Sequence, residues 1–266
     1  MPSVSNISVG ALVAGSAASK ARHGMNESIA RLSTGMRSVY GGDAAGQSVA
    51  NTLQARSMSW AIAARNAEDG ISAAQVAESA LLEIAALAQR LRELGMQADN
   101  AALLQTASDV AAMNAEASAI GTAITGIITK ATFNGVGLLN QTGNSNKTHA
   151  IGVTDDGGTV TLTTGVTLGG ITTAAAAGAD GTADTTLTRV AISLGHIAAG
   201  ISALKGRQAV AYSASANLAA AASRVEDTDF AKETANLTKN SVLNQSAMAM
   251  VAQANQAQSA ILAVLQ

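Results

Sequence analysis

Pro2 is the only proline among 266 residues. Proline is the strongest helix breaker, because it lacks a backbone N–H and its ring collides with the preceding turn. Beyond position 2 nothing in this chain stops a helix in that way. The sequence is also rich in alanine, the best helix former. Aromatic residues are only 2% of the chain (two Tyr, two Phe, one Trp). Such side chains usually fill a globular core, so long helices are expected and a single large core is not. Cysteine is absent, which excludes a disulfide scaffold, a cysteine metal site and a thiol nucleophile.

Apolar residues then set the phase of the helices. Met25, Ile29, Leu32 and Met36 step by 4, 3 and 4. Ile84, Leu87, Leu91, Leu94 and Ala98 continue the alternation, as do Val110, Met113, Ala117, Ile120, Ile124 and Ile127. Val190, Leu194, Ile197, Ile201 and Leu204 repeat it, with a weaker extension through Leu218, Ala222 and Val225. Alternating steps of 3 and 4 place one apolar stripe on a helix, the seam of a coiled coil. The run from Asp43 to Ala98 reads as one helix of roughly 80 Å, at about 1.5 Å per residue.

Breaks in the pattern mark the joints. GMRSVYGGDAAG carries four glycines after Ser33 and Thr34, so Gly35, Gly41, Gly42 and Asp43 form a connector. From Gln141 to Thr186 the chain turns rich in Thr and Gly. Asp155-Asp156-Gly157-Gly158 followed by Val-Thr alternation over 159–163 reads as a β-hairpin. A looser loop is expected from Gly169 to Asp184, with helix returning after Thr186. Phe133-Asn134-Gly135 is a second turn signal. Asp227-Thr228-Asp229 reads as the capped start of the last helix. The expected fold class is mainly α: long antiparallel helices from the N- and C-terminal arms, with a small β element between them. The outermost arms are thinnest in large residues. A buried Leu or Ile contributes about 1.5–3 kcal/mol and an Ala nearer 0.8, so these arms are expected to be ordered by partners in an assembly.

Several long motifs resemble bacterial flagellin, the filament subunit of the flagellum. At the N-terminal end they are ESIARLSTGMRSV, GDAAGQSVA, RNAEDGISAAQVAESAL, QRLRELGMQ and TFNGVGLL; at the C-terminal end, SRVEDTDFAKETANLTKNSVLNQSAMAMVAQANQ. The resemblance covers about residues 1–140 and 187–266. It implies an inner-tube domain of 1–40 with 235–266 and an outer-tube domain of 41–140 with 187–234. A short hairpin and loop segment, 141–186, takes the place of large outer domains. Inner-tube packing falls to Met25, Ile29, Leu32, Leu237, Met248, Val251, Leu262 and Leu265, with the first three pairing with Leu237, Met248 and Val251. Outer-tube packing falls to Ile84, Leu91, Leu94, Ile120, Leu194, Ile201 and Leu218. Gln89, Arg90, Glu93, Leu94 and Gln97 match the stretch that makes subunit contacts and is recognised by the mammalian Toll-like flagellin receptor. Two departures stand out: the connector looks one residue shorter, with Gly42 where an acidic residue is common, and Ala257 stands near where the family carries proline.

The implied function is a structural subunit that polymerises into the extracellular flagellar filament for swimming. Implied partners are further copies of the chain, the hook-junction, cap and export proteins, and an innate immune receptor. Rivals are a hook–filament junction protein and a secreted helical adhesin or effector. Enzyme chemistry is not expected: His23, His149 and His196 lie far apart, and GGDAAGQS lacks the lysine of a phosphate loop. No cofactor or metal is expected. A net charge of -2 gives no global basic field for nucleic acid. No unbroken run of 18 apolar residues predicts a membrane span, and the N-terminus lacks the basic start of a secretory signal, so export without a cleaved signal peptide is expected.

Overall fold

The computed structural model describes residues 2–38, 41–100, 106–139, 146–165, 168 and 175–265, apart from the side chains of 2–8 and 261–265. Among the described residues, five helices and four short strands follow one another. They are α1 (Pro2–Thr34), α2 (Ala44–Ala98), α3 (Ala107–Lys130), β1 (Thr132–Phe133), β2 (Val136–Gly137), β3 (Lys147–Gly152), β4 (Thr159–Gly165), α4 (Ala179–Glu226) and α5 (Phe230–Leu265). The fold is mainly helical with two small antiparallel strand pairs.

Local chemistry accounts for the element ends. Helix α1 stops at Thr34, where Gly35 takes the left-handed conformation (φ 72°) and donates its N–H to the Arg31 carbonyl at 2.8 Å. Asp43 caps α2 by accepting the Gly46 N–H at 2.8 Å. Thr106 caps α3 by accepting from the Asp109 N–H. Asp229 caps α5 by accepting from Ala231 and Lys232 at 3.0 and 3.1 Å. Each satisfies donors that the first helical turn leaves without partners.

The hairpin at Asp155–Gly158 joins β3 to β4, pairing Gly152 with Thr159 and Ile151 with Val160. Asn134 and Gly135, both at positive φ, turn β1 into β2. One expectation is corrected: the loop placed from Gly169 to Asp184 ends early, because α4 begins at Ala179. Residues 169–174 of that stretch lie outside the described residues. The Asn114 side chain accepts the Ala176 N–H at 2.7 Å, and Ala179 and Ala183 are buried in the core. Asp180 sits in the first turn, favourable at a helix N-terminus. Alanine was enough to dock this end, although no large residue marked its period.

The chain forms two compact units, Met1–Ala55 with Leu218–Gln266, and Arg56–Asn217. In the second unit α2, α3, α4 and the hairpins share a core built on Leu81, Ile84, Leu91, Ile124, Leu162 and Ile197. Arg56 holds the hairpin turn to α2 through Asp155 at 2.7 Å. The Asn66 side-chain amide donates to the Gly152 carbonyl at 3.1 Å. Within α2 and α4 there is an 18-residue stretch of mean hydropathy 1.4, enough by length and composition to cross a membrane. Alanine supplies much of that value, Leu81, Ile84, Leu91, Ile197 and Leu204 face the core while Ile62, Val76, Leu82 and Ile192 are exposed, and Arg90 and Arg92 pair with neighbouring helices. This is the pattern of a packed helical bundle.

Candidate functional site

In the first unit α1 and α5 run antiparallel. Arg31 faces Glu233 at 3.5 Å, and the Arg22 guanidinium approaches the Met248 sulfur at 3.6 Å. Gly10 and Ala14 share a groove with Met250, Ala254 and Ala257. Between these points a Cβ on Gly24 would meet the Asn240 side chain at 2.7 Å, so the absence of a side chain permits the close approach there.

The composition of this seam is unusual. Among the described residues of the unit, every buried apolar side chain is an alanine: Ala14, Ala18, Ala21, Ala50, Ala222 and Ala247. The other buried side chains are Ser28, Thr228 and Glu233. Large apolar residues lie on the outside instead, including Val9, Val13, Leu243, Phe230 and Leu12, the last 76% exposed. A monomer gains little from such a seam and leaves much apolar surface in water, which is the mark of an interaction face.

The residues expected to pack the inner tube are only partly covered in the single chain. Met25, Leu32, Leu237 and Val251 are half-buried. Ile29 and Met248 are 50% and 48% exposed. Ile29 follows buried Ser28, and one residue turns a helix by about 100°, so Ile29 points off the seam. Met248 stands in the same relation to buried Ala247. The side chains of Leu262 and Leu265 lie outside the described residues.

Backbone bonds tie the connector to the junction between α4 and α5. Arg37 N–H donates to the Glu226 carbonyl at 2.7 Å, and Thr228 N–H to the Gly35 carbonyl at 2.8 Å. Met36 and Asp227 form an isolated β-bridge. Gly41 is at φ 76°, and Asp43 takes the Arg37 guanidinium at 2.6 Å besides capping α2. Gly42 lies in the turn between them. The sequence marked the connector but not its partner strand.

In the second unit Ile84, Leu91, Leu94 and Ile120 are buried, and Leu194 and Ile201 are half-buried. Leu218 is half-buried and belongs to the first unit. Gln89, Arg90, Glu93 and Gln97 are exposed on α2. Leu94 is 1% exposed, so its expected place on the contact face is corrected; it is held by the core. Gln89, Arg92, Glu93 and Met96 line a groove of about 660 Å³ with Asp184 and Leu187. Arg92 pairs with Asp184 at 2.7 Å. Hydrogen bonds from Arg90 to Glu116, then to Glu93, raise the guanidinium's hold on its proton. Sequence reading missed these cross-helix partners, because only the fold brings Glu116 and Asp184 alongside α2.

Comparison with known families fits this picture. The bacterial flagellin N-terminal helical region matches residues 6–144, and the C-terminal helical region matches residues 180–265. The chain belongs to the flagellin family. Flagellin of Bacillus subtilis (strain 168) is 30% identical over 275 residues, covering 88% of this chain and 90% of that relative. Flagellin of Halalkalibacterium halodurans is 35% identical over 247 residues, covering 88% and 89%. A crystal structure of Bacillus cereus flagellin is similar with a TM-score of 0.38 and 22% identity, covering 58% of this chain and 88% of that one. As a flagellin, the chain is a structural protein and not an enzyme.

Proposed function

We propose that this flagellin builds the flagellar filament by burying the outward faces of α1 and α5 against other copies. The observation that carries this reading is the inverted seam: alanine inside the pair, large apolar residues outside it. Self-polymerisation into the extracellular filament follows from family membership. Head-to-tail contacts that do not close a ring give an open helical polymer. Exposed Ile29 and Met248 then join Met25, Leu32, Leu237 and Val251 at contacts between copies.

The proposed division assigns 1–40 with 235–266 to an inner tube and 41–140 with 187–234 to an outer tube. The hairpin and loop segment, 141–186, lies between the two outer-tube stretches in sequence, with α4 already begun at Ala179. Hook-junction, cap and export proteins are the further proposed partners. Gln89, Arg90, Glu93 and Gln97 are the proposed subunit-contact and immune-receptor face. A receptor would have to compete with Glu116 for Arg90, and a reporter-cell assay with purified monomer tests that recognition. Export without a cleaved signal peptide is tested by N-terminal sequencing of subunits from filaments.

The deciding experiment adds purified monomer to sheared filament seeds and follows growth by electron microscopy. Elongation supports the reading. A protease-resistant monomer that never adds to seeds overturns it.

A further inference from the structure

Helix α5 carries two methionines, Met248 and Met250, one on each side of buried Ala247 and half-buried Val251. They are 48% and 57% exposed. Met248 lies over the Arg22 guanidinium and Met250 over the groove at Gly10 and Ala14. The chain has no cysteine, so thioethers are its readily oxidised sulfur groups. We infer that Met248 and Met250 form an oxidation site for peroxide, and that their sulfoxides stop the subunit from adding to a polymer. This rests on the filament reading above.

In the reaction, a thioether sulfur lone pair attacks one peroxide oxygen. An S–O bond forms as the O–O bond breaks, and the leaving oxygen takes up a proton as water. Sulfur is oxidised by two electrons and hydrogen peroxide is reduced by two. No further reagent is needed.

Geometry favours a lasting effect. A thioether is a weak acceptor, and Arg22 already points at the Met248 sulfur. The sulfoxide oxygen presents the same guanidinium with a strong acceptor. Oxidation also turns a flexible apolar side chain into a polar one, on the face whose apolar surface the polymer must bury. A polar group buried there without a partner opposes association. Free subunits are exposed to the chemistry, and addition to a polymer covers both sulfurs.

The test treats full-length monomer with dilute hydrogen peroxide, removes the peroxide, and measures seeded elongation. Peptide mass spectrometry reads oxygen gain at each methionine. For every protein the treated rate is divided by its own untreated rate. Unaltered protein is expected to lose about tenfold or more, the factor attached to burying one such side chain. Methionine sulfoxide reductase is expected to restore the rate. The ratio should stay near one for a Met248→Leu/Met250→Leu double variant. Met58→Leu and Met96→Leu, altered in the other unit, should lose as much as the unaltered protein. An undiminished ratio with both sulfurs oxidised, or an equal loss in the double variant, overturns the inference. Failure of untreated, unaltered monomer to elongate would instead strike the filament reading.

Discussion

The two units of this flagellin solve the burial problem in opposite ways. Residues 56–217 bury Leu81, Ile84, Leu91, Leu94, Ile124, Leu138, Leu162, Ile197 and Leu204 in one continuous core. Among the described residues of 1–55 and 218–266, alanines are the only apolar side chains buried. At about 1.5–3 kcal/mol for each buried large aliphatic against about 0.8 for a methyl, the first set gains far more from its own burial than the second. The lesson is that the two units differ in what they bury, not in what they expose. Both units leave large apolar residues exposed, such as Ile62, Val76 and Leu82 in one and Val9, Leu12 and Val13 in the other, but among the described residues only 56–217 also buries them.

The sharpest break of this comparison is truncation. Removing residues 240–266 should abolish seeded elongation while the core of 56–217 still melts cooperatively by circular dichroism. Loss of that melt would mean the units are not independent. The next largest effect is Leu91→Ala, expected to lower monomer stability by about 2–5 kcal/mol in urea titration. Its counterpart Ile29→Ala should shift the same titration by less than about 0.5 kcal/mol, the usual size for a surface change, yet slow elongation. Asp229→Ala removes the α5 cap and should lower helix content at the C-terminal arm, at about 1 kcal/mol; hydrogen exchange of amides 231–236 reads it.

The smallest expected effect concerns pH. Burial, then the charge of Lys147, holds the His149 imidazole below its ordinary value of 6.5. The unfolded chain therefore takes up the proton first. The contribution is complete above 6.5 and is lost as pH falls from there through the lower folded value. Urea midpoints of the unaltered monomer should drop between pH 7 and pH 5 by more than those of His149→Gln.

Much of the helical layout was legible because Leu, Ile and Met mark a period of 3 and 4. Ile84, Leu91, Leu94 and Ile120 fall in the core as that period requires. Turn chemistry at Asp155–Gly158 and the cap at Asp229 were legible for local reasons, since each acts on neighbouring amides. The start of α4 was not, because Ala179, Ala183 and Thr186 dock without any large residue to announce them. In α1 the stripe of large residues departs from the seam at one position. Met25 and Leu32 are half-buried and in phase with Ala14, Ala18, Ala21 and Ser28, whereas exposed Ile29 lies one residue past that seam. Hydrophobicity alone does not say whether a stripe is meant for the same molecule or the next one.

The backbone bridge between 35–37 and 226–228 sets the alignment of α1 on α5 at one end. It uses N–H and carbonyl groups, so the zero mark of this ruler is indifferent to which side chains stand there. Every facing pair outward from it, Arg31 with Glu233, then Arg22 with Met248, is counted from that mark. An extra residue in α1 would displace everything between its own position and the free end. Insertions close to Gly35 would thus scramble the whole facing surface, and insertions near Gly10 only its tip.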